Sequence, residues 1–186
     1  MEATADRVAE QKYNFDVVRW FTVMAVVYLV VGAAVGVYIA SELAWPFLNF
    51  DSPYLSFGRL RPVHTNAVIF AFGGCTLMAT AFYTVQRTCG VKLWSEKLAW
   101  FTFWGWNAII VLAVVTLPLG LTQSKEYAER EWPIDILIAV VWLAFTINFI
   151  MTIAIRKTSH IYVSNWFFLG MMVMIVYLHV VNSLAI

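Results

Sequence analysis

The chain has 186 residues, of which 62% are hydrophobic and 12% charged, and its formal net charge is +1. At a mean hydropathy of +0.76 it carries more apolar surface than a soluble domain of this size can bury, which marks an integral membrane protein. So small a net charge suggests no nucleic-acid partner.

Residues 1–16 are polar and mixed in charge and read as a short cytoplasmic tail. Predicted helix 1 covers about residues 17–40, with Arg19 and Trp20 placed as interface anchors. This run is too long for a signal-peptide core and lacks a clear cleavage site, so it reads as a retained membrane helix. Residues 41–62 hold Pro46, Pro53 and Pro62 and form an irregular outer segment. Predicted helix 2 covers about 63–85. Pro62 can open it, because a missing N–H is no loss in the first turn. No charged residue occurs from Val63 to Val85, long enough to cross a core of roughly 30 Å at about 1.5 Å per residue. Gln86-Arg87-Thr88 ends it, and residues 87–97 form a short basic loop.

Predicted helix 3 covers about 98–119, includes the aromatic run from Trp100 to Trp106, and is closed by Pro118 and Gly120. Residues 121–133 are the most polar loop. Predicted helix 4 covers about 134–155 and ends at Arg156-Lys157. Predicted helix 5 covers about 161–186. No charge flanks Asn182-Ser183-Leu184-Ala185-Ile186, so the chain reads as a truncated product or the first piece of a longer protein. The fold class is therefore all-α, a polytopic membrane bundle of about five transmembrane helices.

Charge sets the orientation. The tail and the even-numbered loops carry Arg7, Lys12, Arg19, Arg87, Lys92, Lys97, Arg156 and Lys157; the other side carries Arg59, Arg61, Lys125 and Arg130. The positive-inside rule then places the N-terminus in the cytoplasm and His64 near the outer face.

The cysteines carry no signature. Cys75 and Cys89 lie on one predicted helix, roughly 20 Å apart along its axis, too far for a disulfide. There is no Cys-x-x-Cys-His, so no c-type heme is covalently attached.

His64 is the foremost candidate for chemistry. Ala67, Ala71, Gly74 and Cys75 follow it at helical spacing, which places an imidazole above a strip of small side chains. A flat macrocycle could lie on that strip with His64 as its axial ligand, and Arg59 and Arg61 could meet its acidic substituents. The plainer reading is that small residues let two membrane helices pack closely, and that the His bonds to a neighbouring helix. Ionisable groups inside membranes are nevertheless costly and usually functional. His179, in helix 5, is either a second axial ligand or a buried His with a hydrogen-bond partner. His160 is a solvated loop residue. Glu126 and Glu129 are three apart, so one helical turn would put both carboxylates on one side, as oxygen ligands for a hard cation such as calcium. Asp135 and Asn148 are candidates for polar contacts inside the bundle. No phosphate loop, Ser-His-Asp set or zinc spacing is present.

The stretch Phe57-Gly-Arg-Leu-Arg-Pro-Val-His-Thr-Asn-Ala-Val-Ile-Phe-Ala-Phe-Gly-Gly-Cys75 resembles the N-terminal part of the catalytic subunit I of the cbb-type (C-family) heme–copper cytochrome c oxidases of bacteria. The resemblance continues through Val85-Gln86-Arg87-Thr88-Cys89, Phe101-Thr102-Phe103-Trp104-Gly105-Trp106, Ser124-Lys125-Glu126-Tyr127-Ala128-Glu129, Glu131-Trp132-Pro133-Ile134-Asp135 and Leu178-His179. It covers nearly the whole chain in order.

The resemblance implies that His64 is an axial ligand of the low-spin heme b, with its other ring nitrogen bound to an acceptor. Arg61 would stand near the heme propionates, and Glu126 and Glu129 beside them, Glu126 being the better calcium ligand. It also implies electron entry from c-type cytochrome subunits, reduction of oxygen to water and proton pumping in a bacterial inner membrane. The copper ligands, the high-spin heme ligand and the second axial ligand belong to later helices of the family. Oxygen chemistry by this chain alone is therefore not expected. The expected partners are the remaining subunit I helices, the c-type cytochrome subunits and the lipid bilayer. The rival readings are a cofactor-free structural or assembly partner, and a stand-alone b-type cytochrome using His64 and His179.

Overall fold

A computed structural model describes residues 13–123 and 129–184. Among them, five helices are long and apolar enough to cross a membrane, and there is no strand. They are α1 (Phe15–Ala44), α2 (Phe57–Cys89), α3 (Glu96–Leu119), α4 (Trp132–Ala154) and α5 (Val163–Ser183). The chain is a multi-pass membrane protein.

Several ends differ from expectation. α1 runs on to Ala44 and stops where Pro46 holds Trp45 out of helical geometry, at φ −132° and ψ 83°. α2 starts at Phe57, not at Pro62. Ser56 is extended and its carbonyl accepts from Arg59 and Leu60, so the helix is already formed when it reaches the proline. Pro62 sits just beyond the first turn, where one lost hydrogen bond is tolerable. Arg59 and Arg61 are thus helical residues rather than loop residues.

α3 begins at Ser95, whose Oγ accepts from the Leu98 amide at 3.2 Å, an ordinary N-cap. It ends at Gly120, whose φ of +82° suits glycine. α2 is not uniform. Asn66–Gly73 is π-helical, between α-helical stretches on either side. Its wider coil breaks the 3.6-residue spacing just after His64.

α2 is the central helix and touches the other four. Phe82 and Met78 of α2, Phe21 of α1, and Phe145 and Phe149 of α4 are wholly buried. Phe82 meets Phe145 edge-on at 5.1 Å, and Phe21 meets Phe103 likewise at 5.1 Å, the geometry that ring quadrupoles favour. At the end of the bundle nearest Asn14, polar side chains tie the helices together. Asn148 accepts from the Ser95 amide and donates to its carbonyl, and Thr152 accepts from the Trp94 amide. Asn165 donates to Thr88. Trp166, Phe167, Val173 and Tyr177 leave α5 with a broad exposed apolar face, as suits lipid or further helices.

Candidate functional site

His64 projects from α2 onto α1. Its Nδ1 lies 2.8 Å from the carbonyl oxygen of Gly32. A carbonyl only accepts, so Nδ1 carries the proton and donates. Nε2 has no hydrogen-bond partner among the described residues. The ring is half-buried and lies directly over Gly36. This arrangement suits an iron ligand, with Nδ1 engaged by an acceptor and Nε2 without a partner.

The two arginines diverge. The Arg59 guanidinium fills the space that a Cβ on Gly120 would need. It therefore rests on the last turn of α3, where the helix dipole is negative. Arg61, one turn before Thr65, is exposed.

A second polar group forms two residues beyond His64. Asn66 is buried; its amide donates to the Pro62 carbonyl and its Oδ1 accepts from Arg130 Nη1 at 2.5 Å. Arg130 reads in the sequence as a loop charge, yet it is only 4% exposed. Its guanidinium lies 4.4 Å from the centre of the Phe70 ring, within cation–π range. Its Nε stands 3.9 Å from Asp135 Oδ1, an ion pair too long to be a hydrogen bond. Burial lowers the Arg130 pKa from its ordinary value, and the carboxylates of Asp135 and Glu129 oppose that shift. An arginine stays charged through such a change.

Gln123 closes the loop on itself. It donates from Nε2 to the Arg130 carbonyl at 2.7 Å, and its amide donates to the Glu129 carbonyl at 2.8 Å. Glu129 is half-buried, and its Oε2 has no hydrogen-bond partner among the described residues. Glu126 lies outside the described residues. Among those described, no three His, Cys, Asp or Glu side chains stand close enough to share a metal ion.

His179 takes the plainer of its two readings. Its Nε2–H donates to the Asp135 carbonyl at 2.9 Å, so it is held by α4 while His64 is held by α1. His160 is exposed, with its ring beside Tyr162. The small-residue strip is packed against its neighbours. Ala67 faces Gly32 of α1, Ala71 and Cys75 are fully buried, and Gly74 lies under the Trp106 indole of α3. Within the strip Gly74 meets α3, while Cys75 stays close to Tyr28 of α1. The strip's residues pack against neighbouring helices, and Gly74 also borders a groove.

Sequence reasoning missed Gly32 and Gly36. Their Gly-x-x-x-Gly spacing was the available signal, since it lets backbones approach. It also missed the burial of Arg130, for which a charged loop gives no local sign. A groove of about 830 Å³, lined by Phe70, Gly73, Trp106, Trp142 and His179 with Arg130 at its edge, opens between α2, α4 and α5.

The family model described as cytochrome C and quinol oxidase polypeptide I matches residues 16–186. The chain is 62% identical over 174 residues to the cbb3-type cytochrome c oxidase subunit CcoN1 of Stutzerimonas stutzeri, covering 94% of this chain and 37% of that protein. It is 52% identical over 173 residues to a cytochrome c oxidase subunit 1 homolog of Agrobacterium tumefaciens (strain T37), covering 92% and 32%. It is 51% identical over 181 residues to cytochrome c oxidase subunit 1 of Rhodobacter capsulatus, covering 96% and 34%. The chain spans about a third of the length of these curated relatives.

Proposed function

The chain belongs to the cytochrome c and quinol oxidase polypeptide I family, and on that premise we propose that it is the electron-entry part of a terminal cytochrome c oxidase subunit I, with His64 as an axial ligand of a low-spin heme b. The observation that carries this reading is the His64–Gly32 contact, which holds the proton on Nδ1 and leaves Nε2 bare. A heme bound there would supply a one-electron iron couple.

The chain's own residues do the rest. The Gly32 carbonyl accepts a hydrogen bond from Nδ1–H and so raises the basicity of Nε2. The exposed Arg61 supplies positive charge one turn before His64, suited to a propionate. Arg59 would have to leave Gly120 to join it. Glu129 offers a buried, unbonded oxygen to a cation, with Glu126 three residues before it. A calcium ion at these carboxylates would offset their repulsion of the propionates.

Oxygen reduction and proton pumping belong, in this reading, to the whole oxidase. Its other parts are further subunit I helices with copper and the high-spin heme, and c-type cytochrome subunits. The proposed location is a bacterial inner membrane with the N-terminus cytoplasmic, supported by eight Lys and Arg on one side against four on the other.

The test is His64→Ala in an assembled complex containing this chain. The expected result is loss of the low-spin b heme from the reduced-minus-oxidised spectrum. An unchanged b-heme band would overturn the assignment.

A further inference from the structure

We propose that Gly36 is a positioning residue for His64, an inference that rests on the reading of His64 as an axial ligand. A Cβ built on Gly36 would stand 2.6 Å from Cε1 of His64, 2.8 Å from Nδ1 and 3.3 Å from Nε2. All three lie inside ordinary van der Waals contact. The imidazole therefore rests with its face against the backbone of α1 where a side chain would be, and glycine alone leaves that room.

Gly32 and Gly36 do different work, one turn apart. Gly32 supplies the carbonyl that accepts a hydrogen bond from Nδ1–H. A Cβ on Gly32 would meet Val68 Cγ2 at 3.0 Å and Ala67 Cβ at 3.2 Å, not the imidazole. Gly32 thus brings the helices together and holds the proton, while Gly36 fixes the ring plane. The plane decides where the Nε2 lone pair points. Even a methyl at position 36 would push the ring off its seat and lengthen or break the bond to Gly32. Gly36 thereby sets both the direction of the ligand nitrogen and the tautomer of the ring.

A general packing role makes a different prediction. If Gly36 serves only close helix approach, the cost of Gly36→Ala should not depend on what stands at position 64. A double-mutant cycle on the full chain in lipid nanodiscs separates the two. Gly36→Ala should lower the unfolding midpoint when His64 is present and be near neutral in the His64→Ala background. With ¹⁵N-labelled histidine, the slowly exchanging Nδ1–H of His64 should disappear in Gly36→Ala. It should persist in Gly170→Ala, where an added Cβ meets nothing within 4 Å. Should Gly36→Ala fail to insert, recovery of insertion in the double variant supports the proposal, and continued failure overturns it. Equal destabilisation in both backgrounds, or an intact Nδ1–H signal in Gly36→Ala, also overturns it.

These measurements need no heme. In a heme-bearing complex, Gly36→Ala should in addition move the b-heme potential positive, because the weakened Nδ1 bond makes Nε2 a poorer donor. A b heme that survives His64→Ala would sink the ligand reading while leaving the cycle and the imidazole signal to judge Gly36 on their own.

Discussion

Arg130 donates to Asn66 across 2.5 Å and so joins the loop before α4 to the helix that carries His64 two residues earlier. The bond is buried, and Asp135, 0% exposed, stands beside it. Arg130, next to Glu129, thereby ties the approach to α4 to α2 through its guanidinium. The position of that approach relative to His64 depends on a buried charge.

That dependence sets the first prediction. Arg130→Leu would take the guanidinium away from buried Asp135, and breaking a buried ion pair costs about 3–5 kcal/mol. Thermal unfolding in detergent, followed by helical circular dichroism, should show this loss. The double variant Arg130→Leu with Asp135→Leu should recover much of it, since a pair replaced by apolar groups is often neutral. If the single variant unfolds like wild type, the ion pair carries no structural weight.

Gly120 makes room for Arg59 and also has a positive φ. Gly120→Ala should therefore cost more than the ~1–2 kcal/mol of left-handed backbone strain alone. In an Arg59→Ala background only the backbone part should remain. Equal costs in the two backgrounds would show that the guanidinium moves aside freely.

Oε2 of Glu129 has no hydrogen-bond partner among the described residues, and the proposed function gives it to a cation. Glu126→Gln and Glu129→Gln should each weaken calcium binding, measured by titration calorimetry on the assembled complex, and shift the heme potential. Chelation should alter the wild-type complex more than either variant. If it affects all three alike, these carboxylates are solvated loop residues.

His179→Ala should remove one hydrogen bond to the Asp135 carbonyl, worth about 1 kcal/mol, and leave the b-heme spectrum nearly intact. Loss of that spectrum would instead revive the pairing of His64 and His179 around one heme.

What was legible in the sequence was whatever depends on short-range hydropathy. A membrane helix satisfies its own backbone, so a run of apolar residues implies the helix without knowledge of its neighbours. Hence all five spans, the fold class and His64 as a costly intramembrane imidazole could be read directly. Asn148 and Asp135 could also be named as polar contacts, because a polar side chain among apolar ones must find a partner.

Partners could not be read, because they come from other helices. The π-helical stretch Asn66–Gly73 breaks the α-helical spacing after His64, and ideal spacing cannot foresee that Gly74 lies under Trp106 of α3. Arg130 resembles any loop cation until Asn66, Phe70 and Asp135 are brought round it. Likewise Gly32 and Gly36 gain their meaning only when α1 crosses α2 at the level of His64. The tertiary structure decided which nitrogen of His64 is protonated, because that depends on one carbonyl from a different helix. Hydropathy places a residue at a depth in the membrane, and packing alone chooses what it faces.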